Sequence, residues 1–324
     1  MPLVPSTYKS PVYLKNGHLA TIFPNVFRKV TGVTYDRERM ETEDGDFLDL
    51  DWLQKGNDRI IIISHGLEGS SDRPYVKGMS RYFSERGWDV LAWNCRSCSG
   101  EMNRTLKMYH HGETQDLESV IRYAIAKEGY RHVALSGFSM GGSMSLNLLG
   151  QRGDALPEEV RGAAVFSVPC DLGASARHLS EPGNGFYRRR FLKKLLQKMR
   201  EKHREFPDRV AITGAEAIRH FAEFDTQFTA PLYGFESAES FYRSASANRY
   251  LEGITHPVLI VNAANDPFLP EACYPTKEAE KHPDVYLEIP EEGGHVGFVM
   301  KGRKYTYAEV RAYEFLEDIL ESRI

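Results

Sequence analysis

The chain of 324 residues holds only four cysteines, Cys95, Cys98, Cys170 and Cys273. That is too few to staple a protein of this length, so a disulfide scaffold is excluded and the fold must rest on its hydrophobic core. Cys95 and Cys98 form a C-x-x-C, but no second such pair and no closely spaced histidine pair accompanies it, so ordinary thiols are expected and no metal site. Positive charge is not in excess either: 41 Lys and Arg stand against 45 Asp and Glu, a formal net charge of −4. Nucleic acid is therefore not an expected partner. No apolar run approaches the length of a membrane span. The opening residues MPLVPSTYKS lack a basic segment followed by an apolar one, so a cytoplasmic protein is expected. Internal repeats and low-complexity linkers are missing as well.

What is present is a globular composition, 41% hydrophobic and 27% charged, in a chain long enough to bury a large core. Residues 34–42 and 46–53 alternate in polarity around Glu43-Asp44-Gly45-Asp46, which predicts an antiparallel hairpin. The pattern then changes to continuous apolar runs, at 59–64, 88–93, 132–136, 162–168, 257–262 and 285–289, as strands covered on both faces require. Helical periodicity separates them, near 74–86, 115–127, 140–151, 271–281 and 306–321. Such alternation predicts an α/β fold: a mostly parallel sheet with helices on both faces. Residues 171–255 break the alternation, reading as helices and loops without a strand. They are expected to be a helical cap inserted over the sheet edge of a single domain, 1–324.

The stretch Ala134-Leu-Ser-Gly-Phe-Ser-Met-Gly-Gly-Ser143 contains G-x-S-x-G directly after an apolar strand and before an amphipathic run. In that setting the motif is a nucleophile elbow, a tight turn that holds Ser139 up at the sheet edge. A serine hydroxyl needs a base, commonly a histidine oriented by a carboxylate. Asp266 follows the strand ending Val258-Leu-Ile-Val261, and His295 follows the next strand after a Gly-Gly pair. Ser, Asp and His thus stand in the chain order that elbow-bearing hydrolases use. Asp171, also just past a strand, is a competing acid. An oxyanion needs two backbone donors; Met140, opening the helix, and Leu67, in the loop His65-Gly-Leu-Glu-Gly69, are the candidates. His65 is expected to brace that loop, and His18, His110, His111 and His282 to be structural or solvated.

On these residues the chain resembles the α/β-hydrolase superfamily along essentially its whole length, and within it the YheT-like (EMB8-like) group. The stretches that carry the closer resemblance are Asn16-Gly-His-Leu-Ala-Thr21 and Asn94-Cys-Arg-Ser-Cys-Ser-Gly-Glu-Met-Asn103. The resemblance implies a serine esterase that needs no cofactor, with Ser139, Asp266 and His295 as its triad, and lipid or medium-chain acyl esters as conceivable substrates. Two departures stand out: Ser97 replaces a glycine usual in the family, and Ala20 replaces a glutamine.

In the insertion, Tyr187, Phe191, Leu195 and Met199 recur every fourth residue opposite a run of Arg and Lys. The 186–204 helix is expected to pack as a cap with a solvated basic face, peripheral membrane contact being the alternative. Together with Phe221, Phe224 and Phe228 it is expected to wall an acyl pocket. The reading that results is a carboxylesterase acting on a small-molecule ester. An acyltransferase or thioesterase on the same triad is the alternative, and a binding protein that has lost the chemistry is the third reading.

Overall fold

The structure is a computed structural model describing residues 3–322. Nine strands form one sheet: β1 (Leu3–Val4), β2 (Asp36–Glu41), β3 (Phe47–Leu53), β4 (Arg59–Ser64), β5 (Asp89–Asn94), β6 (His132–Phe138), β7 (Val160–Phe166), β8 (Val258–Val261) and β9 (Val285–Glu288). Their order is β1-β9-β8-β7-β6-β4-β5-β3-β2. All neighbours are parallel except β2 with β3 and β3 with β5. The expected hairpin is β2 and β3, running in register from Asp36 opposite Trp52 to Glu41 opposite Phe47. The one strand the periodicity did not signal is β1, whose two residues add to the edge beside β9.

The run Arg59-Ile-Ile-Ile-Ile-Ser64 shows why the central strands are apolar throughout. Ile60 and Ile62 enter the core on one face of the sheet, whereas Ile61 and Ile63 enter the core on the other. Side chains alternate along a strand, so a strand covered twice must be apolar at every position. The helices Pro74–Ser84 and Tyr307–Ser322 cover one face, through Val76, Met79, Phe83, Ala312, Phe315 and Leu316. The helices Gln115–Glu128 and Met140–Arg152 cover the other, through Leu117, Val120, Ile121, Met144 and Leu148. The stretch expected as one helix at 271–281 is a single turn, Glu271–Cys273, and a short helix, Thr276–Lys281; Pro275 between them has no N–H to continue the first.

Residues 171–255 contain no strand, as the sequence suggests, and leave the sheet after β7 and return at β8. Their apolar side chains, among them Tyr187, Leu192, Leu195, Met199, Phe224 and Phe228, join the same core as the sheet face beneath. The helix Gly185–Glu205 departs from the expected solvated basic face. Arg189, Arg190, Lys193 and Arg200 do point to solvent, but Lys194, Lys198 and Lys202, one turn apart along the helix, turn inward. Lys202 is fully buried and donates to the carbonyls of Asn103 at 2.5 Å and Thr105 at 2.7 Å; burial lowers its pKa. A lysine stem lies well along apolar surface, and its ammonium here finds backbone acceptors in place of water.

Candidate active site

Ser139 is the residue between β6 and the helix Met140–Arg152, with φ 55° and ψ −117°. A side chain seldom adopts a positive φ without a compensating reason, and such strain gathers at functional sites. The surrounding glycines are a packing requirement. A Cβ at Gly141 would lie 2.3 Å from the Ser64 carbonyl oxygen, so β4 and the helix can approach only there. Met140 opens the helix, where the first amides have no partner within it.

The two downstream residues meet at the carboxyl end of the sheet. His295 Nδ1 lies 2.8 Å from Asp266 Oδ2 and 3.1 Å from Oδ1, with both side chains buried. Asp266 also accepts the Phe268 N–H at 2.8 Å, and the Phe268 ring stacks on the imidazole with centroids 3.9 Å apart. A carboxylate bonded to Nδ1 leaves Nε2 as the nitrogen able to take a proton. Ser139, His295 and Leu67 line the same two cavities. Among the described residues no hydrogen bond joins the Ser139 hydroxyl to the imidazole. The loop beyond His295 is strained in turn, with Val296 at φ 55° and Phe298 at φ 47°.

Asp171, the competing acid, is used elsewhere: its carboxylate accepts the Ala174 N–H at 2.8 Å and caps the helix Leu172–His178. His65 braces its loop as expected. Its Nδ1 donates to the Gly66 carbonyl at 2.8 Å and its Nε2 accepts the Cys95 N–H at 3.1 Å, and burial pushes its pKa down to about 4. Cys95 and Cys98 are unpaired thiols whose pKa values burial raises. No group of metal-ligating side chains occurs among the described residues. His110 and His111 are half-buried. They line one of these two cavities, and burial lowers their pKa values to about 3 and 4.

The N-terminal motif acquires a physical role. Asn16 caps the helix Gly17–Phe27. A Cβ at Gly17 would fall 1.9 Å from the Asn265 carbonyl oxygen, so the helix packs directly on the loop that carries Asp266. Thr21 Oγ1 accepts the His295 N–H at 2.8 Å, and His18 lies parallel to the Tyr187 ring and 3.2 Å from its hydroxyl. The second motif is also explained. Ser97 has φ 62°, the backbone that favours glycine, and its hydroxyl compensates by bonding the Asn103 side chain at 2.5 Å and accepting the Asn103 N–H at 3.1 Å. Arg96 beside it forms a fork on Asp116, at 2.7 and 2.8 Å.

The oxyanion-loop candidate is tied to the insertion. Glu68, next to Leu67, holds φ 55° and is buried. Its carboxylate meets Lys198 at 2.8 Å and the Tyr109 hydroxyl, while its carbonyl accepts from Arg73 at 2.8 Å and Lys194 at 3.3 Å. The cavity beside His110 and His111 is apolar, walled by Phe191, Leu195, Met199, Phe221, Phe224 and Phe228. The other is lined by Arg73, Arg190 and Lys194 together with Ile22, Val26 and Phe186.

A family profile described as the alpha/beta hydrolase fold matches residues 59–301. The chain is 36% identical to YheT of Escherichia coli (strain K12) over 290 residues, 88% of this chain and 84% of that protein. It is 30% identical to phospholipase ABHD3 of Mus musculus over 332 residues, 99% of this chain and 80% of that one. Among solved structures, the Pyrococcus furiosus esterase Pf2001 has a similar fold, with a TM-score of 0.59 at 18% identity over 90% of this chain and 96% of that one.

Proposed function

The chain belongs to the alpha/beta hydrolase family, and from that membership we propose that it is a serine hydrolase cleaving carboxylic esters through an acyl-enzyme on Ser139. The observation that carries the proposal is the strained Ser139 facing the same cavities as a buried His295–Asp266 pair. In this reading His295 Nε2 takes the Ser139 proton while Nδ1–H is held by Asp266. The serine oxygen attacks the ester carbonyl, and the amides of Leu67 and Met140 stabilise the oxyanion. His295 then returns the proton to the leaving alcohol, and water activated by the same nitrogen releases the acid.

The cavities support an assignment of substrate sides. The aromatic and aliphatic cavity suits the acyl chain, with the 171–255 insertion as its cap. The cationic lining of the second suits the alcohol side, and favours an alcohol that carries negative charge. A relative named as a phospholipase is in keeping with that division. An acyltransferase would use the same residues, with an alcohol or thiol replacing water at the acyl-enzyme.

A fluorophosphonate probe tests the nucleophile. Labelling of the protein and its loss in Ser139→Ala are expected, and labelling that survives the substitution refutes the assignment. A series of p-nitrophenyl esters then tests the acyl side: kcat/KM rising with chain length is expected, and indifference to length counts against the apolar cavity as the acyl site. Product analysis with added alcohol separates hydrolysis from transfer.

A further inference from the structure

Among the described residues, the exposed large apolar side chains are concentrated in one place. Apart from Leu3 they are Val12, Tyr13, Leu19, Phe23, Val26, Phe27 and Phe186. Leu19, Phe23 and Val26 follow one another at helical spacing on the helix Gly17–Phe27, with Phe27 beside them. Phe23 sits between Tyr13, at 6.3 Å, and Phe27, at 5.2 Å, ring centre to ring centre. Phe186 joins them from the insertion, because His18 of this helix stacks on its neighbour Tyr187. Exposures of 54% for Leu19, 65% for Phe27 and 54% for Phe186 are not explained by packing within the chain. A contiguous apolar patch on a soluble surface marks an interaction site.

Charge identifies the partner. In a chain of net charge −4, residues 1–35 contain no Asp or Glu, and neither do residues 186–200, which carry seven Arg and Lys. Arg189, Lys193 and Lys29 are exposed around the patch. Of the nearby cations, Lys15 faces Glu292 at 3.6 Å and Arg28 is taken by Glu309 at 2.6 Å; the other three are not neutralised by a described ion pair. Apolar side chains rimmed by cations are the composition of a helix that lies in an anionic lipid interface. The patch is also continuous with the site: Ile22, Val26, Phe186 and Arg190 line the cavity that reaches Ser139 and His295.

We propose that the helix Gly17–Phe27 and the start of the helix Gly185–Glu205 form a docking face for an anionic bilayer surface, set around the mouth of the second cavity. The apolar stripe of the insertion helix takes no part, since Leu192, Leu195, Leu196 and Met199 are buried in the core. Only its first three turns, by their exposed side chains, and the N-terminal helix reach the lipid. The proposal concerns binding alone and stands whether or not Ser139 is the nucleophile.

Flotation with vesicles tests it, using phosphatidylcholine alone and an equimolar mixture with phosphatidylglycerol. The protein is expected to partition onto the mixed vesicles at least about tenfold more strongly than onto phosphatidylcholine. Leu19→Ser/Phe23→Ser/Phe27→Ser is expected to lose binding to both. Arg189→Glu/Lys193→Glu is expected to lose at least about tenfold on the mixed vesicles only. Both variants should keep the melting temperature, since all five side chains are exposed. Failure of the unaltered protein to float with either vesicle, or undiminished binding of the triple serine variant, overturns the proposal. So does a concentration-dependent dimer that the serine variant abolishes, which would assign the face to a second copy of the chain.

Discussion

Replacing Lys198 by methionine removes one charge from a buried pair while keeping most of the side-chain volume. Lys198 and Glu68 lie 2.8 Å apart with side chains 13% and 5% exposed. Stripping one partner from such a pair costs about 3–5 kcal/mol, because the remaining charge is left without compensation. Here the Tyr109 hydroxyl still donates to the Glu68 carboxylate, so about 2–3 kcal/mol is expected. For a chain of 324 residues that corresponds to a fall of roughly 3–5 °C in melting temperature. A kinetic effect should accompany it. Glu68 holds φ 55° directly after Leu67, and Lys198 fixes the side chain that keeps it there. If the Leu67 amide binds the oxyanion, loosening this loop forfeits part of the 10²- to 10³-fold that one such donor supplies, on the order of tenfold in kcat with KM little changed. The assay is a double-mutant cycle of Lys198→Met with Glu68→Gln, read by calorimetry and by hydrolysis of a short soluble ester. A coupling of at least about 1 kcal/mol is expected in stability. Additive effects would refute the pairing argument. A lower melting temperature with unchanged kcat would refute the link between the insertion and the oxyanion.

Much of the candidate site was legible because it lies where short-range rules act. Ser139 follows a strand and opens a helix, and Asp266 and His295 each follow the next apolar run in turn, so chain order alone proposes the three together. The sheet was legible for the same reason: Ile60 to Ile63 must serve two cores, and a continuous apolar run is the only pattern that does so. The unread parts depend on which distant segments touch. Nothing local in Thr21 announces that its hydroxyl meets the His295 amide across the fold. Phe268 is a loop phenylalanine until Asp266 turns its amide and brings the ring onto the imidazole. The lysines of the insertion misled because period and polarity predict a wet face, whereas the carbonyls of Asn103 and Thr105 and the Glu68 carboxylate replace water for Lys198 and Lys202. The usual glycine at position 97 was the one clue of backbone origin, and the φ of 62° explains it.

Three further substitutions, one of them with a control, separate the contributions. Asp266→Asn should keep the fold but lower kcat by about 10³- to 10⁴-fold, since the amide no longer fixes the tautomer and charge of His295; a loss below tenfold would mean that Asp266 is not the orienting acid. Gly141→Ala should destabilise by more than about 3 kcal/mol, the new methyl meeting the backbone oxygens of Ser64 at 2.3 Å and His65 at 2.7 Å. Gly183→Ala, whose new carbon meets open space beyond its own stretch of backbone, is its neutral control, and equal melting temperatures for the two would refute the packing reading of the elbow. The last concerns pH. Asp225 lines the aromatic cavity, and burial raises its carboxyl from 3.8 to about 6 despite hydrogen bonds from Thr229 at 2.6 Å and Tyr242 at 2.7 Å. Because the folded state binds this proton more tightly than the unfolded chain does, the contribution is fully present below the unfolded value and is lost as pH rises through about 6. Between pH 5 and 7.5 the loss is about 1.4 kcal/mol, or roughly 2 °C. Asp225→Asn cannot ionise, so its melting temperature relative to the unaltered protein should climb by that amount over the same range, while every other titrating group cancels in the difference. A gap that stays constant with pH would show that Asp225 is already ionised in the folded protein, and that the cavity wall is wetter than its aromatic lining implies.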